Sequence, residues 1–514
     1  MERLTQPGRQ GLDIAIIGGG ASGTLAAAQL LRRAASRRLP MRITLIDRHG
    51  RHGLGQAYST GHRAHLLNAM ACQMSALPDD PDHLLRWATA DAASARTDPD
   101  ASAGRRAGAR LGAVTPTTFL PRQDYGRYLR DTLADAEHQA MPVARLTRVN
   151  SEVLAVRRAS AGRPLRLILP DGQIEADIAV LATGNTPARL PFAVPLSERI
   201  ITDPWLPGAL APITGSTGTG SRGTGSTGTG TGAADGGSVV ILGTGLTMLD
   251  LALAITASAP DVVVHAVSRH GLLPRPHPGA RPASRQPLWL PVITRTTGPV
   301  RLGDLMWQVR SAIGASPGHW YDVIDALRPL VPGLWRRMPA EDKRLFLRHV
   351  ARYWEVHRHL VPPATASRIT ALRATGRLRI HRGQVMAVTQ DAERLLILVD
   401  AGADTLLQLE ADWLINGTGS TADIAATASP LLHDLFMTGL ARPDPLRLGI
   451  DASPDGAVLT HDGSASDVLF TLGPPLRGLW YETTAIPEIR EQAAALARRL
   501  TSERRLSQRP DSAA

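Results

Sequence analysis

Residues Asp13–Thr24 read Asp-Ile-Ala-Ile-Ile-Gly-Gly-Gly-Ala-Ser-Gly-Thr, and no other stretch limits the possible fold so strongly. An apolar run enters Gly18-x-Gly20-x-x-Gly23, and a helix-forming run, Leu25 to Arg33, follows. Buried strand, glycine turn and helix start form the order that a dinucleotide pyrophosphate requires. Gly18 permits the turn, Gly20 lets phosphate oxygens approach the backbone, and Gly23 lets the helix lie close on the strand. The free N–H groups and partial positive charge of the helix N-terminus then face the anion. A second strand, Arg42–Asp47, ends in a carboxylate 24 positions after Gly23, where an acid would reach a ribose.

At 514 residues the chain is long enough for two or three domains. Its most apolar window is the glycine-broken one above, so neither a membrane span nor a signal peptide is expected. The one cysteine, Cys72, excludes an internal disulfide and fits a reducing cytoplasm. The net charge of +11 invites a nucleic-acid reading, but of 57 basic side chains only Lys343 is a lysine. The arginines are scattered among alanines with no long basic run and no aromatic platform for bases, so nucleic acid is not expected as a partner. The basic balance still favours anionic substrates and cofactors. Lys343 follows Asp342 in a helical segment, which leaves no phosphate loop of the Gly-Lys-Ser/Thr kind.

Downstream of Asp47, loops at 48–58 and 65–75 could cover the ring end of a flavin. Asn68 and Ser75 are the hydrogen-bonding candidates there, the alternative being loop groups that satisfy their own backbone. Residues 90–115 are Ala/Arg/Gly/Asp-rich without periodicity and read as a mobile surface insertion. Strand-like runs follow at Ser151–Arg157 and Leu165–Leu169, with Asp171-Gly172 as a turn. Asp177-Ile-Ala-Val-Leu-Ala-Thr183-Gly184 and Asp412-Trp-Leu-Ile-Asn-Gly-Thr-Gly419 repeat one pattern, an acid, an apolar run and Thr-Gly. Paired in this way, they read as chain crossings between two nucleotide domains.

Ile213 to Gly237 is mostly Thr, Gly and Ser, cannot bury apolar area, and is expected to be a disordered linker. Ser238-Val-Val-Ile-Leu-Gly243-Thr-Gly245-Leu-Thr247-Met248 is a second strand–glycine–helix unit, with Met248 in the place of the third glycine. Its following strand ends in Ser268-Arg269 and not in an acid. An acid would suit the ribose of NAD, whereas Ser-Arg suits a 2′-phosphate, so NADPH is expected over NADH. A charge-assisted Arg–phosphate contact is worth about 1.5–3 kcal/mol, a preference of roughly 10- to 150-fold.

Residues 300–365 read as helical and Trp-rich, and place His349, Tyr353 and His357 on one helix face. No metal-binding pattern supports them, so a polar stripe along a pocket or a packing layer is expected. Near the C-terminus, Pro487 fits the first turn of a final helix whose N–H groups could face a flavin carbonyl.

With Ile17–Thr24, His65–Trp87, Gly243–Asp250, Phe346–His359 and Trp480–Ala493 in view, the chain resembles the bacterial FAD-NAD(P)-binding family that includes an FAD-dependent urate hydroxylase. More distantly it is similar to the ornithine and lysine N-hydroxylases. The resemblance implies an α/β architecture of two Rossmann-like dinucleotide-binding domains in three layers. Residues 1–190 and 410–514 would form a discontinuous FAD domain, 191–237 a disordered linker region, and 238–409 the NAD(P) domain with a helical insertion at 300–365. FAD would rest on Gly18, Gly20, Gly23 and Asp47, with Ser22, Asn68, Ser75, Thr183, Gly184, Gly473 and Ile486 as further candidates. NADPH would rest on Gly243, Gly245 and Arg269, with Thr247 and Ser268 beside them.

The expected activity is an NADPH-linked monooxygenase that uses O₂ to hydroxylate a small substrate through a peroxyflavin. Asn68, His349 and His357 are the candidates for catalytic side chains. The absence of a Cys-x-x-Cys pair excludes a flavin disulfide reductase. Two rivals stay open: an oxidase or peroxidase using Cys72, and a flavoprotein that binds FAD without catalysis.

Overall fold

The computed structural model describes residues 11–97, 113–158, 165–186, 189–190, 192–215, 237–278, 298–315, 318–391, 393–419 and 423–503. Seven strands are laid down first. They are β1 (Leu12–Ile17), β2 (Met41–Asp47), β3 (Ala144–Asn150), β4 (Ala155–Arg158), β5 (Leu165–Leu169), β6 (Gly172–Ala176) and β7 (Ile178–Leu181). β1 is buried along its whole length, as a strand covered on both faces must be. It pairs in parallel with β2 on one side and β7 on the other.

Helix α1 (Ala21–Arg37) leaves the glycine turn and buries an Ala/Leu face. Its small side chains let it lie close against α3 (Arg122–Ala140) and the C-terminal helix, while α2 (His83–Thr97) packs beside α3. The expectation for 90–115 thus changes at its start, because α2 carries the chain to Thr97; residues 98–112 lie outside the described residues.

The second sheet is built from β8 (Ile200–Ile201), β9 (Ser238–Leu242), β10 (Val263–Ser268), β11 (Leu378–Arg382) and β15 (Trp413–Asn416), in the order β11-β10-β9-β15-β8. Between β11 and β15 run β12 (Gln384–Gln390), β13 (Leu395–Gly402) and β14 (Thr405–Ala411), a separate antiparallel sheet. It is the counterpart of the β4-β5-β6 sheet in the first half. Helix α4 (Leu246–Ser258) follows β9 as α1 follows β1, and is apolar nearly all round because it is buried. The chain then returns to the first sheet with β16 (Ala457–Leu459) and β17 (Ala465–Thr471), giving the order β16-β17-β7-β1-β2-β3. The molecule is therefore α/β, with two parallel-sheet dinucleotide folds.

Two expected boundaries shift. Trp413–Asn416 pairs with β9, so the second fold extends past residue 409 and the chain crosses back only after Gly419. Ile200–Ile201 pairs with Leu414–Ile415, and a single helical turn, Ala211–Thr214, buries Ile213 beneath α4. Residues 192–215 are thus built into the second fold and are not linker; the Gly/Thr/Ser run at 216–236 lies outside the described residues. A two-residue edge strand lacks the length that makes a sequence pattern readable.

Helices α5 (Leu302–Ala315), α6 (Trp320–Leu327), α7 (Val331–Arg337), α8 (Ala340–Leu345), α9 (Ala351–Arg358) and α10 (Pro363–Ala374) follow β10. Most of this group packs against the C-terminal part of the first fold, where Trp335 and Phe346 close on Tyr481 at ring separations of 4.7 and 5.1 Å. Helix α11 (Pro430–Met437) sits under β4, and α12 (Ile486–Leu500) closes the chain against α1. Among the described residues no helix is long and apolar enough to cross a membrane.

Candidate functional site

The first glycine turn is sterically committed. A Cβ on Gly18 would lie 2.2 Å from the Ala182 carbonyl oxygen, and one on Gly23 would lie 1.9 Å from the Gly18 oxygen. Gly18 itself has φ +115°, open to glycine and costly for other residues. Gly20 caps α1 without a side-chain hydrogen bond, and the first turn of α1 holds no acid. Gly18, Gly20 and Ala21 remain partly open to solvent. These are the marks of a helix N-terminus kept free for an anion. The cradle fits a dinucleotide pyrophosphate, and the nucleotide's oxygens would rest on the amides of Gly20, Ala21 and Ser22.

Asp47 ends β2 beside this turn. Its carboxylate accepts from the Gly19 amide at 3.1 Å and from the His49 and Arg51 amides at 3.0 Å each. Three of roughly four acceptor positions are thus used to fix the loop. Gly473, at φ +76°, lies against Ser22, so close that a Cβ would sit 2.5 Å from the Ser22 hydroxyl. Thr183 and Gly184 follow β7 directly beside Gly18.

The second turn repeats the design. A Cβ on Gly243 would meet the Gly417 oxygen at 2.6 Å, as Gly18 meets Ala182. Gly245 caps α4 with no side-chain bond and no acid in its first turn. Met248, where a third glycine was missed, is fully buried in the core of this fold. Ser268 shares its hydroxyl with Thr244 at 2.8 Å and accepts from the Gly271 amide at 3.1 Å, so it braces the turn. Arg269 is exposed at the end of β10. Desolvation and the positive charges of Arg269, Arg382 and Arg352 hold His270 below the usual imidazole range. Sequence reasoning found one of these arginines; Arg352 and Arg382 come from distant segments.

Residues of both folds wall a cleft of about 320 Å³. Tyr58, Asn68 and Arg122 line it from the first fold, Leu246, Thr247 and Asp250 from α4, and Asp325, Arg328, His357 and His359 from the helical group. Thr484, Ala485, Ile486 and Pro487, the open N-terminus of α12, complete the wall. Four expected site residues, Asn68, Thr247, His357 and Ile486, therefore meet in one place.

Three expectations change. Ser75 is fully buried and donates to the Leu77 and Asp80 carbonyls at 3.1 and 2.6 Å, so it closes its own turn and faces no cofactor. His349 does not share a face with His357. A π-turn, Phe346–Val350, interrupts the helix with i→i+5 bonding and leaves His349 exposed, outside the cleft. Cys72 is exposed and lies outside the cleft lining, and desolvation on its covered side pushes the thiol up.

His357 is held firmly. Its Nδ1 donates to the Tyr353 carbonyl at 2.8 Å, since a carbonyl can only accept, and Trp320 stands edge-on to its ring at 5.1 Å. Burial drives His359 down to about 3, so it is neutral. Arg122, Asp250, Asp325, Arg328 and Arg358 were not singled out from sequence. The signal for one existed: Asp250 is the only acid in an otherwise apolar helix. Among the described residues no group of three or more His, Cys, Asp or Glu side chains could hold a metal ion.

Over 95% of this chain and 98% of the other, the fold matches ornithine hydroxylase from Pseudomonas aeruginosa, at TM-score 0.57 and 17% identity. L-lysine 6-monooxygenase from Pseudomonas syringae matches at TM-score 0.58 and 16% identity over 96% and 100% of the two chains. Ornithine N-hydroxylase from Kutzneria sp. 744, in complex with reduced FAD, NADP⁺ and L-ornithine, matches at 0.56 and 14% over 96% and 100%. At such identities these likenesses show a common fold. Comparison with curated protein sequences gave no match. Residues 15–186 match the family described as FAD-NAD(P)-binding, and that segment contains the first glycine turn, β2 with Asp47, and the Thr183-Gly184 crossing.

Proposed function

We propose that the protein is an NADPH-linked FAD monooxygenase that hydroxylates a small substrate in the cleft between its two folds. The observation that carries this reading is the convergence on one cleft of α4, capped by the open Gly245, and the segment around Asn68 from the fold that carries Gly20. Two ring systems held on those two turns would have one place to meet. The fold neighbours support the reading, because they include ornithine and lysine monooxygenases of the same two-domain construction.

Bound FAD supplies the redox and oxygen chemistry, and the chain's own residues prepare the site for it. Gly20, Ala21 and Ser22 offer amides to its pyrophosphate. Asn68 lines the cleft, and among the described residues its amide has no hydrogen-bond partner, which would leave it to bond a ligand edge. Arg269 follows β10 and Arg382 ends the neighbouring β11 opposite Ser268, so both would be within reach of a 2′-phosphate on this turn, which favours NADPH. Leu246, Ile324, Leu360, Met74 and Trp205 form apolar walls that limit water in the cleft. With its Nδ1 proton committed to Tyr353, the Nε2 of His357 is the atom that would take a proton from the substrate.

The test is anaerobic stopped-flow reduction of the purified flavoprotein by NADPH and by NADH, followed by oxygen uptake with candidate substrates. Rapid bleaching by NADPH and substrate-stimulated, product-coupled uptake are expected. A yellow protein that NADPH fails to bleach would sink the monooxygenase reading and leave a flavoprotein without this chemistry.

A further inference from the structure

The charges around the cleft nearly cancel within the protein, and the one left over is negative. Arg122 is taken by Asp250 at 3.0 Å. Arg328 donates to Glu488 at 2.9 Å, and the Nη2 of Arg358 lies 3.2 Å from Glu482. Both glutamates come from the C-terminal segment at the start of α12, so that segment neutralises the two arginines of the helical group. Arg328 stands one turn after Asp325 and would be its natural partner on a helix surface. Glu488 draws it away instead. The Asp325 carboxylate lines the cleft, half-buried, with neither ion pair nor hydrogen bond among the described residues.

The surroundings of that carboxylate suit a cation. Tyr58, Trp205 and Tyr321 also line the cleft, and aromatic faces attract positive charge. His359 is neutral, so it adds no opposing positive charge. The overall basic balance of the chain suggested an anionic substrate, but that balance is spread over the surface. Among the described residues around the cleft the sign is reversed.

We propose that Asp325 anchors the positively charged group of a substrate, making an alkylammonium compound the class this cleft accepts. The proposal rests on the monooxygenase reading for what happens to that substrate, and on the cleft alone for its binding. Asp325 is a binding and specificity residue: it fixes the cationic group by a charge-assisted hydrogen bond and so sets which end of the substrate points at the reacting centre.

The experiment is calorimetric titration of the purified full-length protein with pentylamine, pentanoate and 1-pentanol, which share a chain and differ in charge. Wild type should bind pentylammonium more tightly than pentanoate. Asp325→Asn should weaken pentylammonium by roughly 10- to 150-fold and leave pentanol unaffected. Asp325→Glu, which keeps the charge, should retain part of the affinity, and thermal melting checks that each variant is folded. Pentylammonium that fails to bind, that binds Asp325→Asn as tightly as wild type, or that binds more weakly than pentanoate would overturn the proposal. Asp325-dependent cation binding without NADPH-driven hydroxylation of any amine would keep it and discard the monooxygenase reading. Hydroxylation of an uncharged or anionic compound, indifferent to Asp325, would do the reverse.

Discussion

Arg122 and Asp250 join the two dinucleotide folds: the Arg122 Nη2 lies 3.0 Å from Asp250 Oδ2, across the cleft wall. Arg122 opens α3 of the first fold and Asp250 sits in α4 of the second. Beside them the Nε2 of His65 donates to the Asp250 carbonyl at 2.9 Å, with its Nδ1 accepting from Thr60 at 2.7 Å. Burial pushes the Asp250 carboxyl up, and the Arg122 charge draws it partly back. Removing one partner leaves the other charge buried and uncompensated. Arg122→Leu should therefore cost on the order of 3–5 kcal/mol, read by urea denaturation, whereas Arg122→Leu with Asp250→Leu should recover much of it. A single variant as stable as wild type would show that the pair does not hold the folds together.

The same contact predicts a pH dependence. Burial, followed by the charges of His62 and Arg122, lowers His65 to about 4. In the unfolded chain an imidazole titrates near 6.5. The folded state thus resists a proton that the unfolded state accepts, and the stability from neutral His65 is complete above about pH 6.5. It is lost as pH falls toward 4. Unfolding free energy should drop by roughly 1–3 kcal/mol over that window. His65→Gln should show a shallower slope there, measured by denaturant titration at several pH values. Equal slopes would assign the acid sensitivity elsewhere, for instance to the half-buried His359.

How much of this was legible in the sequence depends on how local each feature is. Gly18, Gly20 and Gly23 announce themselves because turn, phosphate approach and helix packing each demand glycine at a fixed spacing. The two Thr-Gly strand ends were legible for a similar reason, since β7 and β15 place Ala182 and Gly417 against the turn glycines Gly18 and Gly243. Ile200–Ile201 could not be read, being a two-residue edge strand defined only by its partner Leu414–Ile415. The π-turn at Phe346–Val350 leaves no periodic mark, so His349 and His357 were wrongly aligned. The unpaired state of Asp325 is the least local feature. It depends on Glu488, 163 positions away, capturing Arg328.

Arg269 supplies a test of coenzyme choice. It is exposed, so its removal should not disturb the fold, and its charge is the sequence's reason for preferring a 2′-phosphate. Arg269→Ala should raise the NADPH concentration needed for half-maximal flavin reduction by roughly 10- to 150-fold and leave NADH little changed. Arg382→Ala should act in the same direction. A variant whose ratio of NADPH to NADH matches wild type would place the 2′-phosphate, if one binds, elsewhere.

Gly20 and Gly23 should separate cofactor binding from folding. At Gly23 an added Cβ would sit 1.9 Å from the backbone oxygen of Gly18, so Gly23→Ala must push α1 off β1. That displacement opens a strand buried along its whole length, and Gly23→Ala should melt well below wild type, by several degrees or more. At Gly20 the nearest atom to an added Cβ is the Gly55 Cα at 3.4 Å, and φ is −71°, which alanine adopts readily. Gly20→Ala should therefore fold with nearly the wild-type melting temperature of the cofactor-free protein. Its methyl group would occupy the approach that phosphate oxygens need, so FAD affinity should fall at least about tenfold, seen as a colourless preparation that regains little flavin on titration. The two variants share one chemical change a single turn apart. If Gly20→Ala binds FAD like wild type while Gly23→Ala loses both colour and stability, the turn acts through packing alone, and the pyrophosphate must be held by other groups.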